Sequence, residues 1–166
     1  MKKVFLSILI TSTITTLWAE DLTRKIEASV FGADVHVHND GRDHSTYGGN
    51  VGFGISSRAT IVGEFSHTSF GGGDLVDFSG GVKYTLLRRG NVEPYALAAI
   101  AGNRSANDVG PGRGSSFGLH AGGGARFYVG KHWGIQPEIR WTRYFHDSYN
   151  TNIIRFSGGL FFQWGR

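Results

Sequence analysis

From Ile154 to Trp164 the chain alternates strictly. Ile154, Phe156, Gly158, Leu160, Phe162 and Trp164 fall on one side, and Arg155, Ser157, Gly159, Phe161 and Gln163 on the other. A strand sends successive side chains to opposite faces, so this stretch reads as a strand with one apolar and one mostly polar face. A strand ending a chain is a bare edge unless something pairs with it. Closure onto the first strand removes that edge and makes a barrel. With the apolar face outside and the polar face inside, the barrel sits in lipid, because a soluble barrel has the opposite arrangement.

The same period predicts about eight strands. The first spans residues 26 to 38, with Phe31, Ala33, Val35 and Val37 outward and Asp34, His36 and His38 inward. The second, 46 to 57, sends out Tyr47, Val51, Phe53 and Ile55. The third, 60 to 68, sends out Ile61 and Phe65 and takes Glu64 and Ser66 inward. The fourth, 76 to 87, alternates most cleanly, with Val76, Phe78, Val82, Tyr84 and Leu86 against Asp77, Ser79, Gly81, Lys83 and Thr85. The fifth, 92 to 102, alternates weakly; Tyr95, Leu97 and Ala99 are assigned outward. The sixth, 116 to 129, turns His120, Gly122, Gly124 and Arg126 inward. The seventh, 134 to 145, turns in Glu138, Arg140, Thr142 and Tyr144. Pro137 lacks a ladder donor and is placed near that strand's start.

Between these strands, long polar stretches (NDGRDHS, TSFGGGD, NRSANDVGPGRGS, HDSYNTN) alternate with short ones (SSRA, LRRGN, GKH). Outer-membrane barrels have long extracellular loops and short periplasmic turns, so both termini are expected on the periplasmic side. Tyr84, Tyr95, Phe127, Trp133 and Trp164 fall toward the short turns. Tyr47, Phe70, Phe117, Trp141 and Phe145 fall toward the long loops. Two aromatic belts are what a membrane's two interfaces favour.

Composition narrows the class further. Lys2 and Lys3, the apolar run Val4 to Ile10 and Leu17-Trp18-Ala19 read as a cleaved signal peptide over residues 1–19, leaving a barrel domain over 20–166. The apolar run is too short for a spanning helix. Setting aside Lys2 and Lys3 lowers the net charge from +4 to +2, and no basic cluster interleaves with aromatics, so nucleic acid is not an expected partner. The chain has no Cys, which excludes disulfides, thiolate metal sites and a lipidated N-terminal Cys. Its 26 Gly and 13% aromatic residues suit a small, tightly curved barrel.

The segments YGGNVGFG, DFSGGVKYTL, VEPYALAAIAG, FGLHAGGGARFYVGKHWGIQPEIRWTRYF and IRFSGGLFFQWG resemble the outer-membrane β-barrel domain family of small OmpA-like proteins. The resemblance covers nearly all of the chain beyond residue 19. It implies an all-β, eight-stranded antiparallel barrel in the outer membrane of a bacterium with two membranes. It also implies handling by the barrel-assembly machinery through a terminal aromatic residue. Here Gly165 and Arg166 follow Trp164, so Leu160, Phe162 and Trp164 together are the expected signal. The peptidoglycan-binding domain of longer relatives is absent, and that function is not carried over.

Three groups of residues could carry chemistry. Asp34, Glu64, Asp77, Lys83, Arg126, Glu138, Arg140 and Arg155 are all assigned to the lumen, where opposite charges must pair or stay hydrated. Eight strands leave room only for side chains, so this network reads as a plug rather than an open path. His36, His38, Asp40, Asp43 and His44 cluster at the top of the first strand and could chelate Zn²⁺, Ni²⁺ or Cu²⁺, or form ordinary solvated surface. His67 and Ser69 share the outward face, as in barrels that deacylate lipid A with a His-x-Ser pair; here Phe70 follows, and no outward acid accompanies them. The resulting reading is a monomeric, non-enzymatic envelope barrel without a cofactor. Outer-membrane lipid and lipopolysaccharide surround it, and its activity lies in the long loops. The alternatives are a lipid hydrolase built on His67 and Ser69 and a soluble periplasmic ligand-binding barrel.

Overall fold

The computed structural model describes residues 25–37, 43–70, 73–105, 115–145 and 150–165. The segment 1–19 lies outside them. Eight strands follow in order: β1 (Ile26–Val37), β2 (Asp43–Gly54), β3 (Ala59–Phe70), β4 (Gly73–Thr85), β5 (Val92–Ser105), β6 (Ser115–Tyr128), β7 (Trp133–Phe145) and β8 (Asn150–Trp164). Each pairs antiparallel with its sequence neighbour, and β1 pairs with β8, so the sheet is a closed barrel without a free edge. Ile26 lies opposite Trp164, which puts both described ends of the chain at one end of the barrel.

The wall follows the alternation in six of the eight strands. Exposed Phe53, Phe65, Phe78, Val82, Ile139, Phe156 and Leu160 form an apolar outer band, while Glu64, Lys83, Arg126, Arg140 and Arg155 are buried inside. That polarity is the one lipid requires.

Two strands have the opposite parity to the one their sequences predict. On β1 the buried residues are Glu27, Ser29, Val35 and Val37, while Asp34 and His36 are exposed on the outer face. The strand carries two apolar series, Ile26, Ala28 and Val30, then Phe31, Ala33, Val35 and Val37, and only one can face lipid. Glu27 decides between them. Facing outward, it would be a carboxylate in the apolar band; facing inward, it meets Lys83 and Arg126. Beyond Gly32 the outer face of β1 is no longer apolar, and the inner face becomes so. Val35, Val37, Ala101, Tyr144 and Ile153 form an apolar cluster inside the barrel's far end. On β1 this end is polar outside and apolar inside, as a wall that projects beyond lipid into water can be.

On β5 the buried residues are Glu93, Tyr95, Leu97, Ala99, Ala101 and Asn103, so Tyr95, Leu97 and Ala99 are again opposite to expectation. From Ala96 to Ala101 both faces of β5 are apolar in sequence, and the polar Glu93 and Asn103 lie on the inner one. Glu93 requires that parity, and Tyr95 shares it: its hydroxyl donates to buried Glu138 at 2.8 Å and its ring lies under Lys83 and Arg126.

The strands also run further than the sequence suggests at the end away from the termini. β3 continues to Phe70 and β4 resumes at Gly73, so most of the stretch read as a long loop there is wall. Pro137 lies within β7 and faces outward; the β6–β7 ladder omits Gln136 and Pro137, where no proline N–H is available.

Candidate functional site

Inside the barrel, side chains from opposite walls meet in layers. Nearest the termini, Glu27 on β1 accepts from Lys83 of β4 at 3.1 Å and from Arg126 of β6 at 2.5 Å. Arg126 also lies 3.8 Å from Glu93. The Tyr128 hydroxyl reaches both Glu93, at 3.0 Å, and Gln163 Oε1, at 2.6 Å. Tyr95 connects this layer to the next, with a cation on its ring and its hydroxyl on Glu138.

The middle layer is organised by Arg140. Its Nη1 and Nη2 donate to the two oxygens of Glu64 at 2.7 and 2.9 Å, a bidentate fork. Its Nε and Nη2 donate to Glu138 Oε1 at 3.0 and 2.6 Å. The Arg155 Nη2 lies 2.8 Å from Glu64 and 3.5 Å from Glu138, and its guanidinium stacks on Phe31 at 4.6 Å. Above it, Asp77 accepts a hydrogen bond from the Tyr144 hydroxyl, and His120 Nε2 lies 4.0 Å from the same carboxylate.

Among the described residues, five buried carboxylates (Glu27, Glu64, Asp77, Glu93, Glu138) face five buried cations (Lys25, Lys83, Arg126, Arg140, Arg155). The lumen is therefore neutral in net charge. Beside Asp77, His120 and Arg155 lies a cavity of about 30 Å³, large enough to hold water.

Asp34 is not in this network, since it faces out near the far rim. Lys25, Glu27 and Glu93 belong to it although the alternation did not single them out. The cue was available: a carboxylate in the second position of a membrane strand has to go inward.

His36 and His44 do not form one metal cluster. His36 is exposed on the outer face, whereas His44 is buried inside. His38 and Asp40 lie outside the described residues, as does the side chain of Asp43. No group of three or more potential ligands occurs among the described residues.

His67 and Ser69 do share the outer face of β3, and an acid accompanies them after all. Asp74 on β4 accepts from Ser69 Oγ at 3.2 Å and lies 3.6 Å from His67 Nε2. The outward parity of Val76 and Phe78, extended back by one step, would have located it. Tyr47 packs against the imidazole at 5.0 Å. In a nucleophilic triad the imidazole stands between serine and acid and takes the serine's proton. Here the carboxylate accepts the serine's hydrogen, and both groups converge on it.

Leu160, Phe162 and Trp164 are exposed on the outer face of β8, with the last two rings 4.4 Å apart.

Solved structures of similar architecture are barrels of this size. Neisserial surface protein A superposes with a TM-score of 0.67 at 15% identity, over 83% of this chain and 95% of that one. The N-terminal β-barrel domain of Pseudomonas aeruginosa OprF does so at 0.60 and 16%, over 84% and 98%. The outer membrane enzyme PagL does so at 0.56 and 14%, over 81% and 98%. At such identities the likeness is one of fold. No curated protein matches the chain in sequence. The model of the outer membrane protein beta-barrel domain matches residues 6–162, and with the closed eight-stranded wall and its outward apolar band this makes the chain a member of that family.

Proposed function

We propose that this outer-membrane barrel is a non-enzymatic, monomeric scaffold with a sealed lumen, acting through the strand connections opposite its termini. The observation that carries this reading is the cross-wall network: Glu27 binds Lys83 and Arg126, Glu64 binds Arg140 and Arg155, and Glu138 binds Arg155, in each case from other strands. Ion flow would require breaking charge-assisted bonds in two layers at once. What remains for function is the outer surface and the connecting segments, where a rigid wall usually carries binding residues. The segment 106–114, between β5 and β6, is the longest of these and contains Asp108 and Arg113, with Arg104 exposed on the strand below it. Lipopolysaccharide phosphates are ligands this chemistry would suit. In this reading residues 1–19 are removed on export, and Leu160, Phe162 and Trp164 guide insertion by the assembly machinery.

Planar-bilayer recording of the refolded barrel tests the seal. The expected result is no conductance of porin size, together with a mobility shift between unheated and boiled gel samples. A porin-sized conductance would overturn the sealed lumen. A chain soluble without detergent, showing no shift, would instead indicate a soluble barrel.

The rival reading is a lipid hydrolase at His67, Ser69 and Asp74, which the presence of an acid favours and the hydrogen-bond order opposes. Incubating the purified barrel with lipid A and measuring fatty acid by mass spectrometry separates the two. No release is expected. Release that disappears in Ser69→Ala and His67→Ala would establish the hydrolase.

A further inference from the structure

Among the described residues, charge outside the lumen is distributed unequally along the barrel axis. The three turns at the end that carries the termini, residues 55–58, 86–91 and 129–132, contain Arg58, Arg88, Arg89 and Lys131 and not one Asp or Glu. All four cations are exposed. Arg88 braces the rim, since its Nη2 donates to the Ser57 carbonyl at 2.6 Å, tying two turns together, and its Nε lies 3.6 Å from Glu93. Arg58, Arg89 and Lys131 have no acidic partner among the described residues. At the opposite end the outer face is mixed, with Asp34 and Asp74 beside Arg104 and Arg143.

These cations do not stand on a purely polar surface. Leu86, Leu87, Val129, Trp133 and Trp164 are exposed around the same rim. A ring of long cationic side chains above exposed Trp and Leu matches the boundary between headgroups and acyl chains, where the stems lie along apolar groups and the charges reach phosphate.

We propose that this rim binds the phosphate groups of anionic phospholipid in the membrane leaflet nearest the chain termini. The inference rests on the membrane reading above. A cell-wall polymer would offer anions too, but it gives no reason for apolar side chains to be exposed between the cations. Arg58, Arg89 and Lys131 are the binding groups, and Arg88 sets the spacing between two of the turns.

The test is native mass spectrometry of the detergent-solubilised barrel with an equal mixture of phosphatidylglycerol and phosphatidylcholine. The native chain should retain phosphatidylglycerol preferentially. The preference should fall by about fivefold per cation removed at low salt, so on the order of a hundredfold in Arg58→Gln/Arg89→Gln/Lys131→Gln. It should also weaken as salt is raised. Arg143→Gln, at the other end, should keep it. Equal retention of the two lipids by the native chain would overturn the proposal, as would an equal loss in Arg143→Gln. Co-sedimentation with isolated peptidoglycan through these three cations, without a lipid preference, would also overturn it. If the triple variant fails to show the heat-dependent gel shift, Lys131→Gln alone, in an exposed turn, should still give the single fivefold step. Orientation is tested separately. The chain has no Cys, so Lys131→Cys reports cleanly with a membrane-impermeant maleimide. Labelling of intact cells would put the turns outside and overturn the membrane orientation, while the lipid preference in detergent would stand or fall by itself.

Discussion

Replacing Arg140 by Leu should lower the stability of the barrel by about 3–5 kcal/mol, the cost of breaking a buried ion pair from one side. Arg140 makes two bonds to Glu64 and two to Glu138, and it is 2% exposed. Without it, two carboxylates share the single guanidinium of Arg155, which lies closer to Glu64 than to Glu138. The remaining negative charge stays buried without a second cation. Lys at this position should recover part of the loss, because it restores the charge but not the fork. The decisive comparison is Arg140→Leu/Glu64→Leu. It removes one charge of each sign and leaves Glu138 with Arg155 and the Tyr95 hydroxyl. Exchanging a buried pair for apolar groups is often neutral, so the double variant should be more stable than the single one. Urea midpoints of barrels refolded into vesicles, read from the gel shift, measure all three. An unchanged midpoint in Arg140→Leu would mean that water reaches the middle layer and that the lumen is not sealed by this network.

The lumen was legible where one face of a strand was clearly apolar. β4, β6, β7 and β8 each contain a series such as Ile135, Ile139 and Trp141 opposed by Glu138, Arg140 and Thr142, and a single parity satisfies both sets. On β1 and β5 the apolar pattern misleads, and only Glu27 and Glu93, each second in its strand, mark the inner face; two physical reasons explain why the rest does not. The first is that the wall outlasts the membrane. Val35 and Val37 look like lipid-facing residues, yet they point inward because their end of the barrel has water outside. Hydropathy reports burial and cannot by itself distinguish burial in lipid from burial in protein. The second is that small residues carry little preference. Ala96, Ala98 and Ala99 suit either face, so the parity of β5 rests on Glu93 and Asn103 and on what Tyr95 reaches across the lumen. The outer-rim cluster was half legible. His67 and Ser69 share a face by their spacing, but Asp74 joins them only through the β3–β4 register, which pairs Ser69 with Asp74.

Gly134→Ala should disrupt the barrel, whereas Gly63→Ala should leave it intact or slightly more stable. Both glycines lie in strands and neither has a positive φ, so the difference is one of space. A Cβ at Gly134 would come 2.0 Å from the Phe127 carbonyl oxygen on β6, and one at Gly81 would come 2.2 Å from that of Ala98 on β5. The obstacle in each case is backbone of the paired strand, which can yield only by giving up ladder bonds. In a closed wall of eight strands the inward side converges and the outward side diverges. At Gly63, as at Gly32, Gly80, Gly102 and Gly158 on the lipid face, a Cβ would meet nothing within 4 Å. Crowding of this kind costs about 1–3 kcal/mol or more per site, so Gly81→Ala/Gly134→Ala should fail to give the folded gel band. Ala in place of a strand Gly otherwise contributes roughly 0.5–1 kcal/mol of stability, which Gly63→Ala and Gly158→Ala should show as a raised urea midpoint. If Gly134→Ala folds as well as Gly63→Ala, the wall is looser than its cross-strand distances imply. The close packing that seals the lumen would then have to be abandoned along with them.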